Sequence, residues 1–381
     1  MQFKIPLSVP NLRGRELEYL TECVDGEWVS TGGPYITEFE EKLAGVVGAA
    51  DAVACQSGTA GLHLAMLQLG VLPGDEVLVP TLTFIASANP VRYCGAQPVF
   101  MDCDDSLCLD PIKLRSFCEE QCEVRDGQLF NKSSGRRIAA LEVVHVFGNM
   151  ADMESIVDIA EEFGLPLLED ACEALCTKFD SGRYDGRYAG TIGDIGVFSF
   201  NGNKIMTTGG GGMIVAKDVT ALAHMRFLST QAKTDPVRFV HDEIGYNYRL
   251  TNMQAALGVA QLEQMPEFLA TKKRNYELYQ REGIPLLPFR KGISPNYWFY
   301  SYMTETAKNR DELMASLGDR GIQTRPIWAL MHTLKPYAGN EAYSIERASY
   351  YFDHVLNLPC STNLSTEEVS EVANAIKELV K

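Results

Sequence analysis

The sequence predicts a two-lobed α/β protein: a large lobe built on a mixed, mostly parallel sheet covered by helices, and a small C-terminal α/β lobe. Three observations lead there. From Asp51 to Leu168 short β-type runs alternate with amphipathic helical ones, the rhythm of parallel βαβ units. A long helical pattern follows Asn252 and reaches about Arg281, interrupted only by Gly258 and Pro266. The hundred or so residues beyond it read as a second, smaller set of strands and helices. At 381 residues the chain has room for two such units. The expected division is 1–250 for the large domain, 251–284 for the connecting helix and 285–381 for the small domain.

In chain order, Ala52–Cys55 reads as a strand, and the helix after it carries Leu62, Met66 and Leu69 on one face. Then come the strand Glu76–Val79, a helix around Phe84–Tyr93, the strand Pro98–Met101 and a helix from Pro111. The polar stretch Glu123–Arg136 reads as a surface hairpin or loop interrupting the rhythm. The strand Arg137–Val144, a helix from Met153 and the strand Leu165–Leu168 complete it. Two further strands, Gly196–Phe200 and Gly212–Val215, flank the segment richest in glycine. In the last part Trp298–Thr304 and Gln323–Arg325 read as strands, and Asp311–Leu317 and a run from Ser365 as helices.

Composition narrows the function. The formal net charge is −16, which disfavours a surface that neutralises nucleic-acid phosphates or docks on anionic lipid. Any anion must therefore be held in a local pocket. The segment Met1–Pro10 is too short in apolar residues for a secretory leader, and no 18-residue apolar stretch occurs, so the expected location is the cytoplasm. Ten cysteines are scattered without C-x-x-C or metal-ligand spacing and read as reduced packing thiols, with no metal expected.

Three segments could carry chemistry. Ser57-Gly58-Thr59 stands between a strand and a helix start, where unpaired N–H groups and the helix dipole suit a phosphate; an ordinary N-cap is the plain alternative. Glu169-Asp170 follows an apolar strand, and acids at the carboxyl end of a parallel strand face the ligand crevice; a turn residue is the alternative. Lys204 lies between the strand Phe198-Ser199-Phe200 and the glycines 209–212, and alone could be a solvated loop lysine. One cofactor needs all three: pyridoxal phosphate takes a phosphate cradle, a carboxylate for the pyridinium nitrogen and a lysine for the Schiff base.

That order, with Lys204 34 residues after Asp170, resembles the pyridoxal-phosphate-dependent nucleotide-sugar aminotransferases of the DegT/DnrJ/StrS group. The likeness covers nearly the whole chain, from Val29-Ser30-Thr31-Gly32-Gly33 to Asn357-Leu358-Pro359-Cys360. It rests on Ser57-Gly58-Thr59-Ala60-Gly61-Leu62, Pro80-Thr81-Leu82-Thr83-Phe84, His145-Val146-Phe147-Gly148, Glu169-Asp170-Ala171, Phe198-Ser199-Phe200 and Gly245-Tyr246-Asn247-Tyr248-Arg249.

The resemblance implies the fold-type I architecture of aspartate aminotransferase, and a reaction in which L-glutamate donates an amine to C4 of a nucleotide-linked 4-keto-6-deoxy sugar. Glycines 209–212 and the context of Gly202-Asn203-Lys204 are most similar to members that aminate C4 of 4-keto-6-deoxy nucleotide sugars, UDP-linked 2-acetamido sugars among them and the substrate expected here. It implies Lys204 and Asp170 as catalytic, Phe84 against the pyridine ring, and Ser57, Gly58, Thr59 and Ser199 around the phosphate. Glu173 replaces the usual glutamine or histidine, and could serve the ring hydroxyl if protonated or compensated. Asn247 would reach the partner's site in a homodimer with shared active sites, and Arg249, Arg325 and His332 are implied substrate contacts. His63 reads as a core residue; His145, at a strand end, is better placed than it to reach substrate, with a structural role the plainer reading. Three alternatives stay open: amination at C3, a sugar dehydratase of the same fold that uses the amine form of the cofactor, and a non-enzymatic cofactor sensor. The dehydratases carry histidine where this chain has Lys204.

Overall fold

The βαβ rhythm closes into one ten-stranded sheet in a computed structural model that describes residues 3–380; Met1, Gln2 and Lys381, and with them part of the segment read for a leader, lie outside the described residues. In chain order the strands are β1 (Val53–Cys55), β2 (Glu76–Pro80), β3 (Gln97–Met101), β4 (Cys122–Arg125), β5 (Gln128–Asn131), β6 (Arg137–Val144), β7 (Leu167–Asp170), the short β8 (Lys178–Phe179), which pairs elsewhere, β9 (Ile195–Ser199) and β10 (Gly212–Ala216). The spatial order is β1-β10-β9-β7-β6-β2-β3, closed at the far edge by Ala342–Tyr343. Strands β9, β7, β6, β2 and β3 are parallel.

The sheet departs from uniform parallel pairing at β10 and at the hairpin β4–β5. Strand β10 pairs antiparallel with both β9 and β1. The chain leaves β9, turns through the glycine-rich segment and returns directly beside it, which a tight connection permits only for antiparallel neighbours. Residues 123–136 form the hairpin β4–β5, attached to β6.

Helices α1 (Glu16–Asp25) and α2 (Pro34–Val47) precede the sheet; α3 (Gly58–Gln68), α4 (Ile85–Tyr93), α5 (Pro111–Ser116), α6 (Met153–Phe163) and α7 (Val219–Ser229) are interleaved with it. Helix α3 is apolar all round because it is enclosed: Gly58 and the run Ala60–Met66 are buried. Gly61 lets it lie on the sheet, since a Cβ there would meet Val197 at 2.8 Å. Helix α6 shows why its ends are where they are. Asp152 accepts the Ser155 N–H at 3.2 Å, and Gly164 ends the helix in the left-handed region at φ 65°.

Two expectations are corrected. The strand expected at Leu165–Leu168 is β7, Leu167–Asp170: the Leu165 N–H closes α6 onto Ala160, and Pro166 has no N–H to give to a ladder. The single long helix after Asn252 is two, α8 (Asn252–Glu263) and α9 (Met265–Arg281), because Pro266 occupies the first turn of a new helix. Gly258 does not break α8; it makes room for Phe39, whose ring a Cβ would meet at 2.6 Å. In the C-terminal part Tyr300–Met303, Val355–Leu358 and Arg325–Pro326 form a three-stranded antiparallel sheet, with helices Ala307–Asp319 and Thr366–Leu379, the latter capped by Ser365.

Candidate active site

A cavity of about 340 Å³ opens at the carboxyl ends of the parallel strands, where the start of α3, the ends of β7 and β9, and the chain after β2 converge. It is lined by Ser57, Gly58, Thr59, Phe84, Asp170, Glu173, Ser199 and Lys204 together. Eight sequence-derived candidates, drawn from four separate segments, thus meet in one place.

The helix start is built for close approach. Ser57 caps α3 by accepting the Ala60 N–H at 3.1 Å, leaving the first-turn amides of Gly58 and Thr59 without an acceptor in their own helix. A Cβ at Gly58 would sit 2.7 Å from the Cys172 sulfur and 2.9 Å from Cβ of Ser199. Gly212 has the same reason to be glycine, since a Cβ there would meet the Ser57 carbonyl carbon at 2.6 Å.

The two adjacent acids point opposite ways, as strand alternation requires. Glu169 turns into the core, where it accepts the Gly190 N–H at 2.9 Å and the Ile192 N–H at 2.6 Å and pairs with His145 Nε2 at 2.8 Å. Burial alone would raise its carboxyl; the His145 ring and the amides outweigh that and hold it below the usual range. His145 is consumed by this pair and by the Ala151 N–H at 3.2 Å, so it is a buried positioning group, although its strand-end place left substrate contact open. Asp170 faces the cavity. Its Oδ2 accepts the Ser87 hydroxyl at 2.7 Å and its Oδ1 the Cys172 N–H at 3.0 Å, which locks its orientation.

Lys204 stands across from it. Its ammonium lies 4.2 Å from the Trp298 ring centre and 3.6 Å from Glu173 Oε1. The other Glu173 oxygen accepts the Phe147 N–H at 2.9 Å. Burial pushes Glu173 up to about 7, although Lys204 and the Phe147 amide pull it back. At neutral pH this carboxyl is poised between its two forms.

Other candidates are not among the residues lining the cavity. Asn247 is exposed, beside Thr230 in an isolated bridge. Arg249 bridges Cys55, and its Nε is buried with no partner among the described residues. Arg325 is exposed on the small sheet. His332 Nδ1 lies 2.7 Å from Thr81 Oγ1, and burial pulls its pKa down. His63 is buried in α3 with its Nδ1 3.2 Å from the Tyr248 hydroxyl, the core residue expected. Conversely, the cavity includes Ser87, Cys172, Asn203, Trp298 and Trp328, which sequence reasoning missed. Only Asn203, next to Lys204, and Cys172, between Asp170 and Glu173, carried any local signal.

The lining fits pyridoxal phosphate. Phe84 is 51% exposed although large and apolar, so it offers an uncovered ring face to a flat heterocycle. The start of α3 offers amides to a phosphate, and Asp170 offers a fixed acceptor to a protonated ring nitrogen.

The sequence of residues 10–377 matches the model of the DegT/DnrJ/EryC1/StrS aminotransferase family. The chain is 39% identical over 380 residues to GDP-perosamine synthase of Escherichia coli O157:H7, covering 98% of each chain. It is 35% identical to the putative pyridoxal phosphate-dependent aminotransferase EpsN of Bacillus subtilis strain 168, covering 100% of this chain and 96% of that one. Among solved structures, the aminotransferase TlmJ from Streptoalloteichus hindustanus superposes with a TM-score of 0.88 at 30% identity, over 99% of this chain and 98% of that one. The chain therefore belongs to the DegT/DnrJ/EryC1/StrS aminotransferase family, and it is a transaminase that works with pyridoxal 5′-phosphate.

Proposed function

We propose that this transaminase moves an amino group from L-glutamate to C4 of a nucleotide-linked 4-keto-6-deoxy sugar. The observation that carries the reading is the meeting of Lys204, Asp170 and the α3 start in one cavity, in a chain alike over 98% of its length to a GDP-perosamine synthase, an enzyme of a 4-amino sugar. The sequence context of Lys204 favours a UDP-linked 2-acetamido sugar, whereas that likeness favours a GDP-linked one.

Bound in the cavity, pyridoxal phosphate supplies an electron sink for the carbanion left when the donor's α-proton departs. The chain's own groups do the rest. Gly58, Thr59 and Ser199 hold the phosphate, and Phe84 covers one face of the ring. Asp170 keeps the ring nitrogen protonated. Lys204, whose amine opens into the same cavity, would be the group that takes and returns a proton at the reacting carbon. Glu173, held by the Phe147 N–H, would be the partner for the ring hydroxyl. Arg249, together with Arg325 and His332 on either side of Trp328 in sequence, contacts substrate.

The active unit is a homodimer in this reading. Val237, Phe239 and Ile244, on the segment just before Asn247, are 82%, 69% and 86% exposed, an apolar face that a second copy would cover while Asn247 completes its cofactor site. No helix among the described residues is long and apolar enough to cross a membrane, and ten free cysteines suit a reducing compartment such as the cytoplasm. The lobes are assigned as 1–250 and 285–381, joined by 251–284.

The test is amine transfer from ¹⁵N-glutamate to a panel of UDP-, GDP- and dTDP-linked 4-keto-6-deoxy sugars, with the nitrogen located by NMR. Label at C4 of one of them is expected. Label at C3, loss of a hydroxyl without amination, or no transfer to any member would each overturn the reading.

A further inference from the structure

Lys272 is a charged side chain, only 1% exposed, that no step above uses. It lies on α9. Its ammonium donates to the Trp298 carbonyl at 2.7 Å and to the Cys360 carbonyl, and it stands 5.6 Å from the centre of the Tyr300 ring. The Tyr300 hydroxyl in turn donates to the Lys272 carbonyl at 2.7 Å. Taking an ammonium out of water is costly, and burial pulls this one below the usual lysine range, with Cys360 opposing. An apolar side chain of the same length would avoid that cost but leave both carbonyls without their donor.

What the donor holds is the residue beneath the reacting lysine. The Trp298 ring is the surface over which the Lys204 ammonium sits, and its indole N–H donates at 2.8 Å to the carbonyl of Asn203, the residue before Lys204. The Trp298 N–H is taken by Asn296 Oδ1 at 2.9 Å, and the amide of the same Asn296 side chain donates to the Glu173 carbonyl at 2.8 Å. Trp298 is thus pinned at its amide, its carbonyl and its indole, and two of the pins run to the segments that carry Glu173 and Lys204. A small cavity of about 10 Å³, room for about one water, has both Lys204 and Lys272 on its wall, with Ser8 and Gln261. Ser8 donates to the same Asn203 carbonyl at 3.2 Å.

We propose that Trp298 seats the Lys204 ammonium and that Lys272 is the positioning residue that holds Trp298 in place. A lysine on a strand-end loop has many rotamers to lose. The indole removes most of them by occupying one side of the side chain, with the ring face 4.2 Å from the amine. Lys272 acts through Trp298 and touches neither cofactor nor substrate. The inference rests on Lys204 being the reacting lysine, and its test separates the two: labelling of Lys204 requires no turnover.

The experiment measures two things in Trp298→Leu, Trp298→Phe, Lys272→Met and the Lys272→Met/Trp298→Leu double variant, each checked for folding by circular dichroism. The first is the rate of Lys204 acylation in the cofactor-free protein at a single pH, relative to the exposed lysines of the same chain, read by peptide mass spectrometry. The ionisable groups about Lys204 are Glu173, Cys172 and Asp170 in the same cavity, with Lys272 across the small one. Loss of the indole face is expected to raise the relative rate severalfold in Trp298→Leu, because the amine is then uncovered and freer to move, and by less in Trp298→Phe, which keeps a ring. The second is the split of kcat and KM in the loaded enzyme. Trp298→Leu and Lys272→Met should each lose about tenfold or more in kcat with little change in KM for glutamate. The double variant should lose no more than Trp298→Leu alone, since Lys272 acts through the ring that is gone. An unchanged relative rate of Lys204 acylation in Trp298→Leu overturns the seat. Additive losses in the double variant overturn the role of Lys272, and should either Lys272 variant fail to fold, a Lys272→Arg variant that keeps both carbonyls paired must restore kcat or the role is likewise overturned. Normal Lys204 chemistry without amine transfer would instead strike the proposed function.

Discussion

One oxygen of Glu173 stands 3.6 Å from the Lys204 amine while the other accepts the Phe147 N–H at 2.9 Å. Phe147 offers that amide from a left-handed backbone at φ 57°, a conformation that costs a non-glycine residue about 1–3 kcal/mol. The local strain is spent on aiming one carboxyl at one lysine.

That carboxyl sets a pH dependence. Burial raises Glu173 from 4.5 to about 7 in the folded chain, so between those values the native state holds more protons than the unfolded one. Its contribution to stability is therefore full below about pH 4.5 and is lost as pH rises through about 7, by up to about 3 kcal/mol. Glu173→Gln removes this group. Relative to the parent, the variant should gain stability progressively from pH 5 to pH 8 in urea unfolding, with no gain below about pH 4.5. A constant difference across that range would contradict the assignment.

Asp170→Asn tests the electron-sink role. The Ser87 hydroxyl and the Cys172 amide keep the side chain in place, so the variant should fold and bind cofactor. A neutral amide cannot hold the pyridinium proton, and kcat should fall by about 10²–10³-fold with little change in cofactor affinity. Near-normal turnover would contradict it.

Gly58→Ala addresses the phosphate cradle. A methyl there would press on Cys172 and Ser199 at 2.7 and 2.9 Å, forcing two walls of the cavity apart. Overpacking of this kind costs about 1–3 kcal/mol, so cofactor should bind about ten- to a hundredfold more weakly. Equilibrium titration with pyridoxal phosphate measures it.

Local features were legible in the sequence and long-range ones were not. The Ser57 cap, the helix that starts at Ser365, the hairpin within 123–136 and the strand before Lys204 depend on neighbours a few residues away, and each is where the residues suggested. The insertion of β10 between β1 and β9 depends on which strands meet, and periodicity carries no such information. Separating Glu169 from Asp170 needs the register of β7 against its neighbours, which the two-residue displacement by Pro166 obscured. Trp298 and Trp328 enter the cavity from the C-terminal third of the chain, and nothing in their own segments marks them. The pairing of His145 with Glu169 was likewise invisible, because their 24-residue separation is spanned by α6 and two adjacent strands.

Assembly gives a prediction of its own. If Asn247 completes the neighbouring site, Lys204→Ala and Asn247→Ala homodimers should both be impaired, and mixed dimers should recover activity in one of their two sites. Cofactor affinity should also fall on dilution below the dimer dissociation constant. Full activity in a sedimenting monomer, or no recovery in proven mixed dimers, would contradict shared sites.

The central claim is that Lys204 is the lysine that carries the cofactor. Borohydride reduction of the loaded enzyme fixes the cofactor to its lysine, and peptide mapping then identifies the residue. The account predicts a single modified peptide bearing the reduced cofactor on Lys204, absent in Lys204→Ala; modification of any other lysine, or of none, would contradict it.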